Sequence, residues 1–64
     1  MYFVITTYRE AYHYACPPAS SSKFTKLARA IRYAEEESKW ESAAMVIVTT
    51  SGGTIEMTLP GEFA

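Results

Sequence analysis

The chain has 64 residues, of which 48% are hydrophobic and 20% are charged, and its formal net charge is −1. This composition argues against intrinsic disorder, and the near-zero charge excludes both a strongly basic nucleic-acid binder and a heavily acidic mimic of DNA. A chain of this length buries only about 60% of the surface that its unfolded form exposes. We therefore expect a single small domain over residues 1–64.

Cysteine content and hydropathy limit the cellular location. Cys16 is the only cysteine, which excludes a disulfide framework, and a free thiol is typical of a reducing compartment. The longest apolar run, Ala43 to Val48, has six residues, whereas a membrane-spanning helix needs roughly 20. We therefore expect a cytoplasmic protein that does not contact a membrane.

The N-terminal part of the chain is rich in aromatic and β-branched residues, which favour strands. Tyr2 to Arg9 predicts one strand, and Ala11 to Cys16 predicts a second extended segment. Arg9-Glu10 is poor chemistry for a tight turn, which requires positive φ. A loose hairpin and one long bulged strand therefore both remain open, and we favour the hairpin. Pro17-Pro18 cannot donate hydrogen bonds and ends the ladder.

The middle of the chain predicts a helix. Ala19 to Ser22 reads as a linker in which Ser21 or Ser22 supplies the N-cap. From Lys23 to about Lys39, apolar residues recur at helical spacing. The stripe that we expect to face a sheet consists of Phe24, Leu27, Ala28, Ile31 and Ala34.

The C-terminal part predicts a hairpin. Ala43 to Thr50 is apolar on both faces, as in a central strand, and Thr54 to Leu59 alternates. With a two-residue turn at Gly52-Gly53, the expected pairs are Thr50 with Ile55, Val48 with Met57 and Val46 with Leu59. These residues would face the helix. The opposite face would stay open to water and would carry Met45, Ile47, Thr49, Glu56 and Thr58.

The order of predicted elements is strand, strand, helix, strand, strand. This order predicts an α+β fold (ββαββ), in which one helix packs on a small, largely antiparallel four-stranded sheet.

Residues that could carry catalysis are few. His13 and Cys16 are the only base and nucleophile pair. Side chains alternate between the two faces of a strand, so an odd-numbered and an even-numbered residue on one strand would point to opposite faces. One His and one Cys lack metal-ligand spacing, and Gly52-Gly53 precedes no helix that could bind phosphate. We therefore expect a binding protein rather than an enzyme, with no catalytic residue, no metal and no cofactor.

The charge pattern of the predicted helix is its most unusual feature. Basic residues occupy the first half and acidic residues the end, whereas the helix macrodipole favours the opposite arrangement by about 0.3–1 kcal/mol per charge. Local rules that are broken without structural gain often mark function, although a solvated charged face is the alternative. The basic set is Lys23, Lys26, Arg29 and Arg32, and the acidic set is Glu35, Glu36, Glu37 and Glu41.

These charges allow two opposite roles. The acidic set could dock on a basic groove of a partner protein, or the basic set could hold nucleic-acid phosphates while tyrosines stack on bases. We favour the acidic role because four carboxylates fall within seven residues.

A stripe at i, i+4 and i+7 of the predicted helix is turned away from the expected core and consists of Tyr33, Glu37 and Trp40. This stripe is either an aromatic anchor beside the acids or a cover for the edge of the core.

Four of the five tyrosines lie within the first fourteen residues: Tyr2, Tyr8, Tyr12 and Tyr14. In one hairpin register, Tyr12 and Tyr14 join Phe3 and Ile5 in the core. In the other register, Tyr8, Tyr12 and Tyr2 share a face that could bind a protein. Both registers remain open at the level of sequence.

The order of segments resembles that of a known class of small proteins. An N-terminal extended region, a polar link, one helix (SKFTKLARAIRYAEEESKW) and a C-terminal hairpin (AAMVIVTTSGGTIEMTL) resemble short accessory proteins of phages, among them the anti-CRISPR inhibitors. The resemblance implies a non-catalytic inhibitor that binds a host protein complex with a basic groove, such as a CRISPR effector complex, in the cytoplasm. Glu35, Glu36, Glu37 and Glu41 would then occupy a surface meant for DNA.

Two rival functions stay open, and the state of association that we expect is a monomer or a weak dimer. The first rival is a small nucleic-acid-binding module that uses the basic set. The second is a structural phage protein that self-associates through the open sheet face with Met45 and Ile47.

Overall fold

One α-helix packs on one face of a four-stranded antiparallel sheet in the computed structural model, which describes residues 1–64. The strands are β1 (Tyr2–Tyr8), β2 (Ala19–Phe24), β3 (Ala43–Thr50) and β4 (Ile55–Pro60), and the helix α1 spans Leu27–Glu37. The order across the sheet is β2-β1-β3-β4. The α+β fold and the ββαββ order expected from the sequence are therefore confirmed.

The core lies between α1 and the two central strands. Alternate residues of β1 and β3 face the helix, and small alanine side chains on α1 let the helix approach the sheet closely. The buried residues that meet here are Val4, Thr6, Val46, Val48, Ala30 and Ala34. Larger, partly buried side chains surround them: Tyr2, Phe24, Leu27, Tyr33, Met57 and Leu59.

The second strand lies later in the chain than the sequence predicted. Residues 11–16 were expected to be extended, but Glu10–Tyr12 forms a short 3-10 helix and turns follow it. The amide of Cys16 donates to the carbonyl of Tyr12 at 2.8 Å, so this segment satisfies its backbone locally. The serine-rich segment Ala19–Phe24 pairs with β1 instead. Serine has a low propensity for strands, and pairing with the strongly strand-forming β1 overrides this low propensity.

The helix is shorter than predicted and is rotated relative to the expected stripe. It begins at Leu27 rather than Lys23, so Phe24 packs from β2, and Ala28 is exposed while Ala30 is buried. Ser21 and Ser22 lie in β2 and do not cap the helix; its N-cap is Lys26, which makes no side-chain capping bond. The helix is neither long enough nor apolar enough to cross a membrane.

The β3–β4 hairpin follows most of the predicted register. Val48 pairs with Met57 and Val46 with Leu59, as expected. The pair Thr50 with Ile55 is wrong, because a bulge after Val48 places Ile55 opposite Thr49. The loop is also wider than two residues: the amide of Thr54 donates to Thr50 Oγ1 at 3.1 Å, and Gly53 has φ of +93°.

Candidate functional site

The acidic residues gather where α1 ends. Glu35, Glu36 and Glu37 are its last three residues, and Glu41 follows in the loop before β3. No basic residue lies in the last turn, so the carboxylates reinforce the negative end of the helix macrodipole. The Ser38 hydroxyl donates to the Glu35 carbonyl at 2.8 Å and completes the helix end. Glu37 is half-buried, whereas the other three glutamates are exposed.

Glu37 is held against the sheet by a hydrogen bond. Thr6 Oγ1 donates to Glu37 Oε1 at 3.2 Å. Thr6 is only 2% exposed and is the polar residue of the core. A buried hydroxyl needs a partner, so this bond satisfies Thr6 and fixes the carboxylate in place. An ionised carboxylate has acceptor capacity beyond one such bond.

A cavity of about 350 Å³ opens beside this carboxylate. β1 and the end of α1 form two of its sides, and residues of the loops before β2 and β3 complete its lining. Its lining combines three aromatic side chains with one carboxylate and one thiol, and none of the lining residues is basic. We call it the aromatic pocket; it is lined by Thr6, Tyr8, Cys16, Tyr33, Glu37, Trp40 and Ser42.

Serines of β2 hold two of the aromatic rings of the pocket. The Tyr8 hydroxyl and Ser20 Oγ are 2.8 Å apart, and Ser22 Oγ donates to the Tyr33 hydroxyl at 3.3 Å. The ring of Tyr33 also packs on Phe24, with centroids 5.1 Å apart. The segment predicted as a linker therefore positions the tyrosines of the pocket.

Tyr33, Glu37 and Trp40, predicted as one stripe, line this one pocket. The expected orientation of the stripe is wrong for Tyr33, which packs against the core. The reason is that the buried face of α1 is centred on Ala30 and Ala34, which brings Tyr33 and Glu37 towards the sheet. Trp40 lies beyond the helix end and is 62% exposed.

Glu41 is engaged by side chains of the β1–β2 connection. Arg9 Nη1 donates to the Glu41 backbone carbonyl at 2.8 Å, and the Arg9 guanidinium carbon lies 5.5 Å from the centroid of the Tyr12 ring. The Glu41 carboxylate raises the pKa of Tyr12, first as a hydrogen-bond acceptor for the phenol; desolvation and the charge of Glu41 act in the same direction. Glu41 thus lies beside a tyrosine and an arginine, and its side chain is exposed.

A second, more open cleft lies on the other side of Trp40. Its volume is about 320 Å³, and Phe63 forms part of it. The Glu62 amide donates to the Ser38 carbonyl at 2.8 Å, which brings the C-terminal residues to the helix end. Phe63 is 56% exposed. The cleft is lined by Glu36, Lys39, Trp40, Glu41 and Phe63.

The basic residues do not share one helical face. Lys23 lies in β2 and Lys26 precedes the helix, so only Arg29 and Arg32 belong to α1. These two arginines border a cleft of about 400 Å³. Its other lining residues are Phe24, Ala28, Tyr33 and Glu36. The carboxylate in this cleft opposes the binding of a phosphate.

The sheet face away from α1 is uncovered and apolar at its centre. The register places Ile5 beside Ile47 and Thr7 beside Met45, and Met45 and Ile55 are 38% and 60% exposed. Because cross-strand partners share a face, these side chains form one surface. We call it the open face; its apolar residues are Phe3, Ile5, Met45, Ile47 and Ile55. The alternative that placed Phe3 and Ile5 in the core is therefore wrong.

The tyrosines of the N-terminal segment divide among several environments. Tyr2 packs against the core, Tyr8 lines the aromatic pocket, and Tyr12 contacts Arg9. Tyr14 is 86% exposed. Neither predicted register of a first hairpin applies, because residues 11–16 form no strand.

Sequence reasoning missed four members of the aromatic pocket. Cys16 belongs to the segment 11–16, whose strand assignment was wrong, Tyr8 precedes that segment, and Ser42 lies in a loop. Thr6 was detectable, because it is a polar residue on the face of β1 that Val4 assigns to the core. A lone polar position on a buried face indicates a specific partner.

No three His, Cys or Glu side chains lie together as a set of metal ligands. No protein-family model, curated protein or solved structure matches this chain. The features of this chain that could bind a partner are the helix end, the aromatic pocket and the open face.

Proposed function

We propose that this chain is a non-catalytic binding protein that inserts the acidic end of α1 into a basic groove of a partner protein. The supporting observation is that exposed carboxylates and exposed aromatic side chains lie together at the negative end of the helix: Glu35, Glu36, Glu41, Trp40 and Phe63. Carboxylates steer the encounter with a basic surface, and aromatic anchors supply buried area. Helix stability does not account for acids at this end, since they oppose the macrodipole.

The partner class that we propose is a host complex that binds nucleic acid through a groove rich in lysine and arginine. Such a groove is built to neutralise phosphates, so a cluster of carboxylates can compete for the same cations. The resemblance to anti-CRISPR inhibitors favours a nucleic-acid-guided defence complex in the bacterial cytoplasm. The net charge of −1 restricts the mimicry to one region of the surface.

Fluorescence anisotropy with a labelled oligoarginine peptide tests the proposal. The Glu35→Lys/Glu36→Lys variant reverses two exposed charges and leaves Glu37 untouched. The matched control, Arg29→Glu/Arg32→Glu, reverses two charges in the first turn and at the middle of the helix. At low salt we expect the first variant to bind at least about tenfold more weakly, and the control to bind as tightly as the wild type or more tightly. Equal affinity of the wild type and the first variant would contradict the proposal.

The same assay with labelled DNA tests the nucleic-acid-binding alternative. Tight DNA binding by the wild type that is lost on Arg29→Glu/Arg32→Glu would transfer the function to the basic side chains. The partner class is tested by adding the wild type and the Glu35→Lys/Glu36→Lys variant to a purified RNA-guided effector complex with bound DNA. We expect only the wild type to displace the DNA.

The open face supports a second candidate function, which is assembly with a second copy of this chain. Lys23 lies at the β2 edge, level with Phe3, and Glu56 lies beside Ile55 at the β4 edge. Phe3 and Ile55 both neighbour Thr49 of β3, so the two charged residues share one level of the sheet. The two edges therefore carry opposite charges at the same height.

In the dimer that we propose, two open faces stack on each other, and the twofold axis lies between them, parallel to the strands. This arrangement places β1 of one copy over β3 of the other, so that Ile5 stacks on Ile47. It also places the β2 edge over the β4 edge, so that Lys23 of each copy lies over the edge that carries Glu56. Sedimentation velocity over a concentration series tests this assembly. We expect Ile47→Lys to abolish association and Ser51→Lys, in the hairpin loop, to preserve it. A monomer at every concentration of the wild type would exclude the dimer.

A further inference from the structure

We propose that the aromatic pocket receives one cationic side chain of the bound partner, an arginine guanidinium or a lysine ammonium group; this inference rests on the proposed function. Tyr8, Tyr33 and Trp40 line the same cavity of about 350 Å³ as the Glu37 carboxylate. This volume lies at the lower end of the range of about 300–1,000 Å³ for small-ligand sites, so the cavity has room for the end of one long side chain.

The charge of the pocket selects a cation. Glu37 is half-buried at the negative end of α1, and none of the lining residues offers a positive charge in return. Partial exclusion of water strengthens the attraction between a carboxylate and a cation. The bond from Thr6 orients Oε1 at 3.2 Å and leaves further lone pairs of Glu37 as acceptors.

The aromatic rings favour the same ligand. The hydroxyls of Tyr8 and Tyr33 bond to Ser20 and Ser22, which fixes two aromatic side chains that line the cavity. Aromatic faces attract lysine and arginine, and tryptophan does so most strongly. Cys16 adds an apolar contact that suits the aliphatic stem of a long cationic side chain.

The tryptophan of the pocket is the only one in the chain, so its fluorescence responds to a ligand in this cavity or in the cleft on its other side, and Glu37→Gln separates the two. The probes are N-acetyl-arginine amide, N-acetyl-lysine amide and N-acetyl-citrulline amide, which has the shape of the arginine compound without its charge. We expect a saturable change with at least one cationic probe and none with citrulline. No saturable change with either cation, or an equal change with citrulline, would overturn the inference.

Two isosteric variants assign the binding to Glu37. Glu37→Gln keeps an acceptor for Thr6 and removes the charge, whereas Glu35→Gln removes the same charge outside the pocket. We expect cation binding to weaken at least about tenfold in Glu37→Gln and less than about twofold in Glu35→Gln. Equal weakening in both variants would indicate diffuse attraction to the helix end and would overturn the inference.

The single thiol gives a readout that needs no variant. Cys16 lines the pocket and is half-buried, so a bound cation should slow its alkylation by iodoacetamide. The rate should fall along the same saturation curve as the fluorescence change. An unchanged rate at saturating cation would contradict occupation of this cavity.

Failure of this inference and failure of the proposed function give different results. Oligoarginine binding that survives Glu37→Gln but is lost on Glu35→Lys/Glu36→Lys would reject the pocket and retain the proposed function. A cation response of the pocket without oligoarginine binding would reject the proposed function alone.

Discussion

Four glutamates of similar sequence context have different environments in this fold. Glu35 and Glu36 are exposed, Glu37 accepts a hydrogen bond from the buried Thr6, and the backbone carbonyl of Glu41 accepts one from Arg9. A side chain that is already bound contributes orientation, and a free one contributes long-range attraction. The acidic end therefore combines two exposed charges that can steer a partner with one fixed charge that can select a side chain.

Gly61 shows how closely the C-terminal segment approaches β3. It is buried, its amide donates to the Ala44 carbonyl at 2.9 Å, and a Cβ at this position would overlap the Ala43 carbonyl oxygen. We expect Gly61→Ala to lower the free energy of unfolding by about 1–3 kcal/mol, as overpacking does. Urea denaturation measures this change.

Gly52→Ala is the matched control for that substitution. A Cβ at Gly52 would lie 3.7 Å from Thr50 Oγ1, which is an ordinary contact. We expect its stability to equal that of the wild type or to exceed it slightly, because alanine restricts the unfolded chain. Equal urea midpoints for the Gly61 and Gly52 variants would contradict the tight approach at Gly61.

At the scale of the element, α1 forms against its own local rules. Its N-cap is a lysine, its first turn has no acid, and its last turn has no base. Such a helix depends on tertiary packing more than on intrinsic propensity. Ala30 and Ala34 supply that packing, since both are fully buried against β1 and β3. Packing on the sheet thus allows the helix to form although its charges oppose the macrodipole, as the proposed binding role of the acidic end requires.

The missing cap gives a direct test of this view. Lys26 has the extended backbone of an N-cap residue, with φ of −117° and ψ of 132°, but its side chain cannot accept a bond from the free amides. We expect Lys26→Ser to raise the free energy of unfolding by about 1 kcal/mol. Lys39→Ser, beyond the helix end, is the control and should have little effect. A Lys26→Ser variant no more stable than the control would show that the cap position is satisfied in another way.

At the scale of the whole molecule, the sequence predicted the order of elements and most of the C-terminal hairpin. Ala43–Thr50 is a long apolar run, Thr54–Leu59 alternates, and the glycines lie between them, so the pairs of Val48 and Val46 follow from local pattern. The strand identity of Ala19–Phe24 does not, because it arises from pairing with β1. The start of the helix was predicted too early for the same reason. The residues from Lys23 onwards fit a helical stripe, but Lys23 and Phe24 belong to β2 and pair with β1.

The candidate site was predicted in part. The helix-end glutamates, Tyr33 and Trp40 were identified from spacing and charge, and three of them do line one cavity. The aromatic pocket itself could not be foreseen, since it needs β1 and two loops brought beside the helix end. Tertiary contacts between distant segments leave little trace in local pattern beyond single residues such as Thr6.

The central place of β1 in the sheet has a consequence for how the chain is made. Translation produces β1 before either neighbour, and its two edges become paired at different times. The hairpin with β2 can form early, but the other edge waits for β3, since Tyr2 pairs with Thr50. Until then the uncharged strand YFVITTY has one open edge, which is the kind of segment that adds to other strands. α1 also lacks half of the surface on which it packs during this interval. A growing chain is therefore exposed to aggregation until β3 has left the ribosome.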